Sequence, residues 1–175
     1  MNRCVFLDRD GVIIRAFVRE GTPFPPVSIT EVEILPGVEK ALYDLQSKGF
    51  LLVIVTNQPD VARGLVARSA VEKINSYIVN RLPIDHVYTC FHDTRDCCNC
   101  RKPSPGALIS ASKKHGIDLG RSYMVGDRWK DIEAGKAAGC KTIFLDYGYA
   151  EKQPDTQIYR VGSLKDAAEF IIGDE

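Results

Sequence analysis

The segment Phe6-Leu7-Asp8-Arg9-Asp10-Gly11-Val12 restricts this chain more than any other. An apolar run from Cys4 to Leu7 ends in two carboxylates one residue apart, and a glycine follows. Such a run reads as a strand buried on both faces, which calls for a parallel sheet with helices packed on each side. Strand alternation aims Asp8 and Asp10 to one side and Arg9 to the other. Two acids sharing a site repel each other unless a metal, a phosphate or a proton divides their roles. The pairing therefore suits phosphoryl chemistry, with one carboxylate attacking and the other moving protons. A plain Asp-Gly turn is the alternative source of the same residues.

Three later segments weigh against the plain turn. Val53-Ile54-Val55-Thr56-Asn57 is a second β-branched strand, ending in a hydroxyl and an amide. Arg101-Lys102-Pro103 follows a cysteine cluster, and Tyr123-Met124-Val125-Gly126-Asp127 is a strand that ends in an acid, with Asp131 four residues on. In open parallel sheets, ligands bind outside the carboxyl ends of the strands, so these polar residues converge on one edge.

The rest of the chain alternates in the same way. Helices are expected over Gly37–Lys48, Ser69–Asn80, Pro105–His115, Trp129–Ala138 and Ser163–Ile172, the last with Asp166 in capping-box position. The second helix turns Val71, Ile74, Ile78 and Val79 inward. Short strands are expected over Asp85–Cys90 and Lys141–Leu145. At 175 residues, this pattern makes one Rossmann-like α/β domain with helices on both faces of a parallel sheet. Ile13–Leu35, with Gly21, Pro23, Pro25 and Pro26, breaks the rhythm and reads as a flap beside the proposed acids. Lys plus Arg and Asp plus Glu number 23 each, so no global field favours nucleic acid or an anionic membrane. The apolar runs are strand-sized, too short for a transmembrane helix, and the start of the chain does not resemble a signal peptide. A cytoplasmic monomer is expected.

Of six cysteines, four fall between Cys90 and Cys100. Cys-x-His and Cys-x-Cys pairs close a tetrahedral Zn2+ site whose four positions are all protein ligands, which makes the ion structural. Redox-active or idle thiols are the alternative. Cys97 and Cys98 are adjacent, and spacing alone does not choose between them. Cys4 and Cys140 read as buried apolar fillers, and His86 and His115 as ordinary structural or surface residues.

Asp8-Arg9-Asp10-Gly11, Thr56-Asn57-Gln58, Arg101-Lys102-Pro103 and Val125-Gly126-Asp127 together resemble the four motifs of haloacid-dehalogenase-like phosphatases. Within that superfamily the chain is similar to the branch containing D-glycero-D-manno-heptose-1,7-bisphosphate 7-phosphatase and histidinol-phosphate phosphatase. Cys90-Phe91-His92 followed by Cys98-Asn99-Cys100-Arg101-Lys102-Pro103 resembles that branch's zinc loop, over residues 90–103. The resemblance implies zinc ligands Cys90, His92, Cys98 and Cys100.

It further implies that Asp8 is a nucleophile forming an aspartyl-phosphate. Asp10 protonates the leaving alkoxide and then deprotonates water. Mg2+ is then held by Asp8, the Asp10 backbone carbonyl and Asp127, while Asp131 holds a metal-bound water or orients Lys102, a solvated place on the first turn of a helix being its plain alternative. Thr56 and Asn57, with Gln58 beside them, face the phosphate, and Lys102 neutralises its charge. The space between motifs is too short for a cap domain, so the fold is capless and the site open, closed by loops. Arg63, Arg101 and Arg128 stand on loops facing that site, which favours a substrate with a second negative group, such as a sugar bisphosphate. Ala62-Arg63-Gly64 resembles the heptose enzymes, whereas Pro59-Asp60 departs from their Asn-Gln-Ser-Gly pattern and Pro25-Pro26 is nearer the histidinol-phosphate group. Removal of the 7-phosphate from a heptose bisphosphate, feeding lipopolysaccharide or another heptose-bearing glycan, is the expected reaction. Histidinol phosphate or another small phosphorylated metabolite is the second choice. A non-catalytic binding protein with a retained zinc loop is the third, and the crowding of acids argues against it.

Overall fold

Every core strand carries side chains to two different apolar layers. In the computed structural model, which describes residues 1–155 and 157–174, β1 (Arg3–Leu7) sends Val5 and Leu7 to one side and Cys4 and Phe6 to the other. Beyond it come a short hairpin, β2 (Phe17–Arg19) and β3 (Thr22–Phe24), then β4 (Phe50–Asn57) and β5 (His86–Cys90). The later strands are β6 (Tyr123–Gly126), β7 (Lys141–Leu145) and β8 (Tyr159–Val161). The six long-range strands form one sheet in the order β5-β4-β1-β6-β7-β8, and every pair in it is parallel.

Helices α1 (Val38–Ser47), α2 (Arg68–Val79) and α5 (Leu164–Gly173) pack on the layer that contains Val5, Leu7, Leu52 and Ile54. Helices α3 (Gly106–His115) and α4 (Trp129–Ala138) pack on the layer that contains Phe6, Val53, Val55 and Met124. Helices on both faces oblige the strands to be apolar throughout, which is the composition they have. Ser163 caps α5, its hydroxyl accepting from the Asp166 N–H at 3.2 Å. Cys4 and Cys140 are buried, as expected of fillers. His86 and His115 stack on each other with ring centroids 3.7 Å apart.

Two expectations need correction. Val79, read as inward-facing, is exposed, and Asn75 is buried on α2 instead; its amide has polar partners inside, described below. Arg9, read as pointing away from the acids, curls back onto Asp10. Strand alternation ceases to apply at Leu7, where β1 ends, and Gly11 follows at φ +94°.

Because β1 lies between β4 and β6, sequence neighbours diverge to opposite sides at the middle of the sheet. That is where an open α/β sheet leaves a crevice beyond the carboxyl ends of its strands. The stretch after β1 is pinned at its roots, with Ile14 bridging Ile34 and Leu35 N–H donating to Ile13 at 3.0 Å. Its middle is the β2–β3 hairpin. All three residues of β2 are exposed, so no alternation marked it in the sequence.

Candidate active site

The crevice is a cleft of about 260 Å³. Asp8 stands one residue past β1, Asn57 ends β4, and Asp127 follows β6. Asp8, Asp10, Asn57, Lys102 and Asp131 line the cleft, and the hairpin supplies Thr22, Pro23 and Phe24.

Lys102 is the electrostatic centre of this floor. Its ammonium is almost fully buried and donates to Asp8 Oδ1 at 2.7 Å and to the Val55 carbonyl at 2.6 Å, with Asp131 Oδ1 also at 2.6 Å. All three donors are therefore filled. Burial works against its charge, but Asp131 and Asp8 outweigh that and hold Lys102 above the ordinary lysine range. The other Asp131 oxygen accepts from the Arg128 N–H at 3.0 Å. Of the two roles open to Asp131, the geometry gives it the orientation of Lys102. Asp131 approaches so closely only because residue 126 is glycine: a Cβ there would lie 2.1 Å from the Asp131 Cβ.

Asp127 has a different environment. It is fully buried, and Tyr149 donates its phenol to Oδ2 at 2.9 Å. Oδ1 has no hydrogen-bond partner among the described residues. Burial, with Asp8 and Asp131 close by, pushes this carboxyl well above the usual range. Oxygens of Asp8, Asp127 and Asp131 all lie within 4.8 Å of one another. Gly11 makes room for this arrangement, since a Cβ there would sit 2.0 Å from Asp127 Oδ2. Buried acids with one orphaned oxygen fit a hard divalent cation, which takes oxygen ligands and removes the repulsion. Asp8 and Asp127 have oxygens to offer it, whereas both oxygens of Asp131 are engaged.

Asp10 belongs to the cleft wall, not to this acid cluster. Its carboxylate takes Arg9 Nε on one oxygen at 3.0 Å and Arg9 Nη2 on the other at 3.1 Å. Gln58 donates to Asp10 Oδ2 at 2.7 Å and to Thr56 Oγ1 at 2.9 Å. Burial raises the Asp10 carboxyl, Arg9 opposes that rise, and Asp8 adds to it. Gln58, expected against substrate, thus braces Asp10 and Thr56. The Asn57 side chain is also committed, to the backbone of Lys102.

Of the expected cations, Arg63 lines the cleft but its guanidinium is bound by Asp93 at 2.8 Å and Asp60 at 3.1 Å. Arg128 lines it too, and pairs with Glu151. Arg101, among the described residues, hydrogen-bonds the His92 carbonyl alone, at 3.3 Å. Lys130, which the sequence reading missed, also lines the cleft. Burial, then Arg128 and Arg101, lower its proton affinity. Tyr149 and Glu151 were missed because they lie in a loop without periodicity or motif, and Lys130 because a lysine on the first turn of a helix reads as a solvated charge.

At the mouth of this wall, Cys90, His92, Cys98 and Cys100 come together. Cys100 Sγ lies 3.3 Å from Cys90 Sγ, 3.5 Å from Cys98 Sγ and 3.4 Å from His92 Nδ1. A tetrahedron with metal–sulfur bonds of about 2.3 Å has edges of about 3.8 Å, so the four atoms fit around one ion. Cys97 is outside the group, exposed and at φ +47°. All six cysteines are free thiols.

A family model described as HAD-hyrolase-like matches residues 99–174. The chain is 36% identical over 157 residues to D-glycero-beta-D-manno-heptose-1,7-bisphosphate 7-phosphatase of Haemophilus ducreyi, covering 82% of each. It is 32% identical to the enzyme of the same name from Helicobacter pylori, over 97% of both chains. In three dimensions it is similar to D,D-heptose 1,7-bisphosphate phosphatase of B. bronchiseptica, a structure complexed with magnesium and phosphate. The TM-score is 0.84 at 26% identity, over 99% of both chains. On these grounds the chain belongs to the haloacid-dehalogenase-like phosphatases, in the branch that contains the heptose bisphosphate phosphatases.

Proposed function

We propose that this phosphatase removes the 7-phosphate of D-glycero-β-D-manno-heptose 1,7-bisphosphate through an aspartyl-phosphate on Asp8. One observation carries the reading: the Asp8 carboxylate stands at the cleft floor, fixed by Lys102, beside an acid whose free oxygen calls for a cation. The three relatives described above, named for heptose bisphosphates, support the substrate. Arg101 and Lys130, two cleft cations without a carboxylate partner among the described residues, support it further by leaving positive charge for a second phosphate.

In the reaction, Asp8 attacks phosphorus while Asp10 gives a proton to the departing sugar oxygen. Asp10 then takes a proton from water, the water oxygen attacks the phosphoryl group, and phosphate leaves with Asp8 restored. Lys102 stabilises the charge that moves onto the phosphoryl oxygens, and Thr56 and the Asn57 backbone donate to them. Asp8, Asp127 and the Asp10 carbonyl would hold Mg2+, which when bound would screen the nucleophile from the phosphate. Cys90, His92, Cys98 and Cys100 would hold Zn2+, which when bound would tie down the loop that carries Arg101 and Lys102. We take the setting to be cytoplasmic, where cysteines stay reduced and able to hold a metal; among the described residues no helix is long and apolar enough to cross a membrane. We take the working unit to be a monomer.

The test is a panel of phosphorylated metabolites that includes both anomers of the heptose bisphosphate and histidinol phosphate, ranked by kcat/KM with and without Mg2+. The β-bisphosphate should lead. A preference for histidinol phosphate would overturn the substrate, and hydrolysis independent of Mg2+ would overturn the metal.

A further inference from the structure

The largest fully buried side chain among the described residues is Arg9, and the reaction outlined above gives it no task. A guanidinium taken out of water is tolerated only where its charge is met and its donors are filled. Nε donates to Asp10 Oδ1 at 3.0 Å, and Nη2 lies 3.0 Å from Oδ1 and 3.1 Å from Oδ2, so the guanidinium grips both oxygens and fixes direction as well as distance. Nη1 donates to Asn75 Oδ1 at 2.9 Å. Asn75 interrupts the apolar face of α2, and its own amide donates to Thr89 Oγ1 at 3.0 Å. Thr89 stands on β5, one residue before Cys90. A line of side chains thus runs from β5 through α2 to the carboxylate that handles the proton.

We propose that Arg9, held in place by Asn75, is a positioning residue that sets where the Asp10 carboxyl stands at the cleft wall and so governs proton transfer to the leaving group. This rests on the reading of Asp10 as the proton carrier. An apolar side chain at position 9 would avoid the cost of burying an ion pair, and replacing such pairs by apolar groups is often neutral or stabilising. What the pair adds is orientation. Gln58 alone would leave Asp10 held at one oxygen and free to turn.

The test compares two substrates in single turnover: a heptose bisphosphate, whose alkoxide needs a proton, and p-nitrophenyl phosphate, whose p-nitrophenolate departs without one. Asn75→Leu should slow phosphoryl transfer from the sugar about tenfold, and Arg9→Gln about 100-fold, with KM little changed. Transfer from p-nitrophenyl phosphate should keep its rate in both. Asn75→Asp keeps the acceptor for Arg9 and should restore the sugar reaction. Should Arg9→Gln fail to fold, the two Asn75 variants decide. Equal losses on both substrates, or a rise in KM alone, would overturn the proposal. Asp10→Asn separates the levels. If it leaves the sugar reaction intact, the reading of Asp10 itself fails. If it slows that reaction while Asn75→Leu and Arg9→Gln do not, only the positioning role fails.

Discussion

The carboxamide of Asn57 grips the Lys102 peptide from both sides, Nδ2 donating to its carbonyl at 2.9 Å and its N–H donating to Oδ1 at 3.1 Å. The end of β4 thereby holds the backbone of the loop whose side chain reaches Asp8. Asn57→Ala removes both bonds and leaves partly buried backbone groups unpaired, a cost of about 1–3 kcal/mol. If that loss falls on the position of Lys102, kcat/KM drops by about 10- to 100-fold. Asn57→Asp keeps the acceptor, loses the donor, and should lie between. Steady-state kinetics on the three proteins measure this directly.

Asp8→Asn should abolish turnover, by on the order of 10⁴-fold or more, because an amide does not attack phosphorus. The fold should survive, since Lys102 keeps Asp131 and the Val55 carbonyl. Rapid quenching followed by peptide mass analysis should find phosphate on Asp8 in the parent protein and none in the variant. Substantial Mg2+-dependent hydrolysis by Asp8→Asn would contradict the nucleophile assignment.

The acid cluster ties stability to pH and metal. Burial lifts Asp127 well above the ordinary range, and burial lifts Asp131 to about 6 against the pull of Lys102. Both hold a proton more tightly when folded than in the unfolded chain, where an aspartate titrates near about 3.9. Their contribution to stability is therefore complete below about pH 4 and is lost as pH rises through about 6 and above. A divalent cation held between Asp8 and Asp127 binds the ionised form of Asp127 and offsets that acid's share of the loss. Thermal melts in chelator and in millimolar Mg2+ should nearly coincide at pH 4 and separate progressively toward pH 8, the Mg2+ form melting higher. Coincident curves at pH 8 would show that these acids hold no cation.

Much of this arrangement was readable beforehand, and the exceptions share a cause. β1, β4 and β6 are buried on both faces, so apolar runs marked them and their polar ends marked the cleft. The alternation rule failed at Arg9 because the strand had already ended. Asn75 was missed, and Val79 misplaced, because a helix face read from hydrophobicity has no place for a buried amide serving an arginine on another element. The β2–β3 hairpin and β8 are three-residue strands whose side chains, Pro23 apart, are exposed or half-exposed, too short a run to carry a pattern. Tyr149 and Glu151 act through contacts 22 and 23 residues away in sequence, beyond the reach of any local signal.

The thiol cluster predicts a metal count. With Cys98 inside the group of four and Cys97 exposed outside it, Cys97→Ser should retain about one zinc per chain by elemental analysis. Cys98→Ser should lose most of it, and with it the placement of Lys102, so activity should fall even with Mg2+ in excess. Binding energies of about 10–16 kcal/mol are typical of structural zinc in small peptides, ample to order this short loop. Zinc loss from Cys97→Ser would exchange the roles of the two neighbours.

Tyr149 offers the cleanest separation of metal affinity from chemistry. Its phenol donates to Asp127 Oδ2, and burial followed by the charge of Asp127 holds it above the ordinary phenol range, so it remains a donor at any working pH. The bond occupies Oδ2 and leaves Oδ1 as the oxygen without a partner among the described residues. Tyr149→Phe removes only the hydroxyl and keeps the ring that packs beside Tyr147. Outer hydrogen bonds to metal ligands are typically worth about 10–100-fold in affinity. The Mg2+ concentration for half-maximal activity should therefore rise by about tenfold or more, while kcat at saturating Mg2+ and KM for the sugar phosphate change little. A fall in kcat that no amount of Mg2+ restores would place Tyr149 in the reaction itself, not in the support of Asp127.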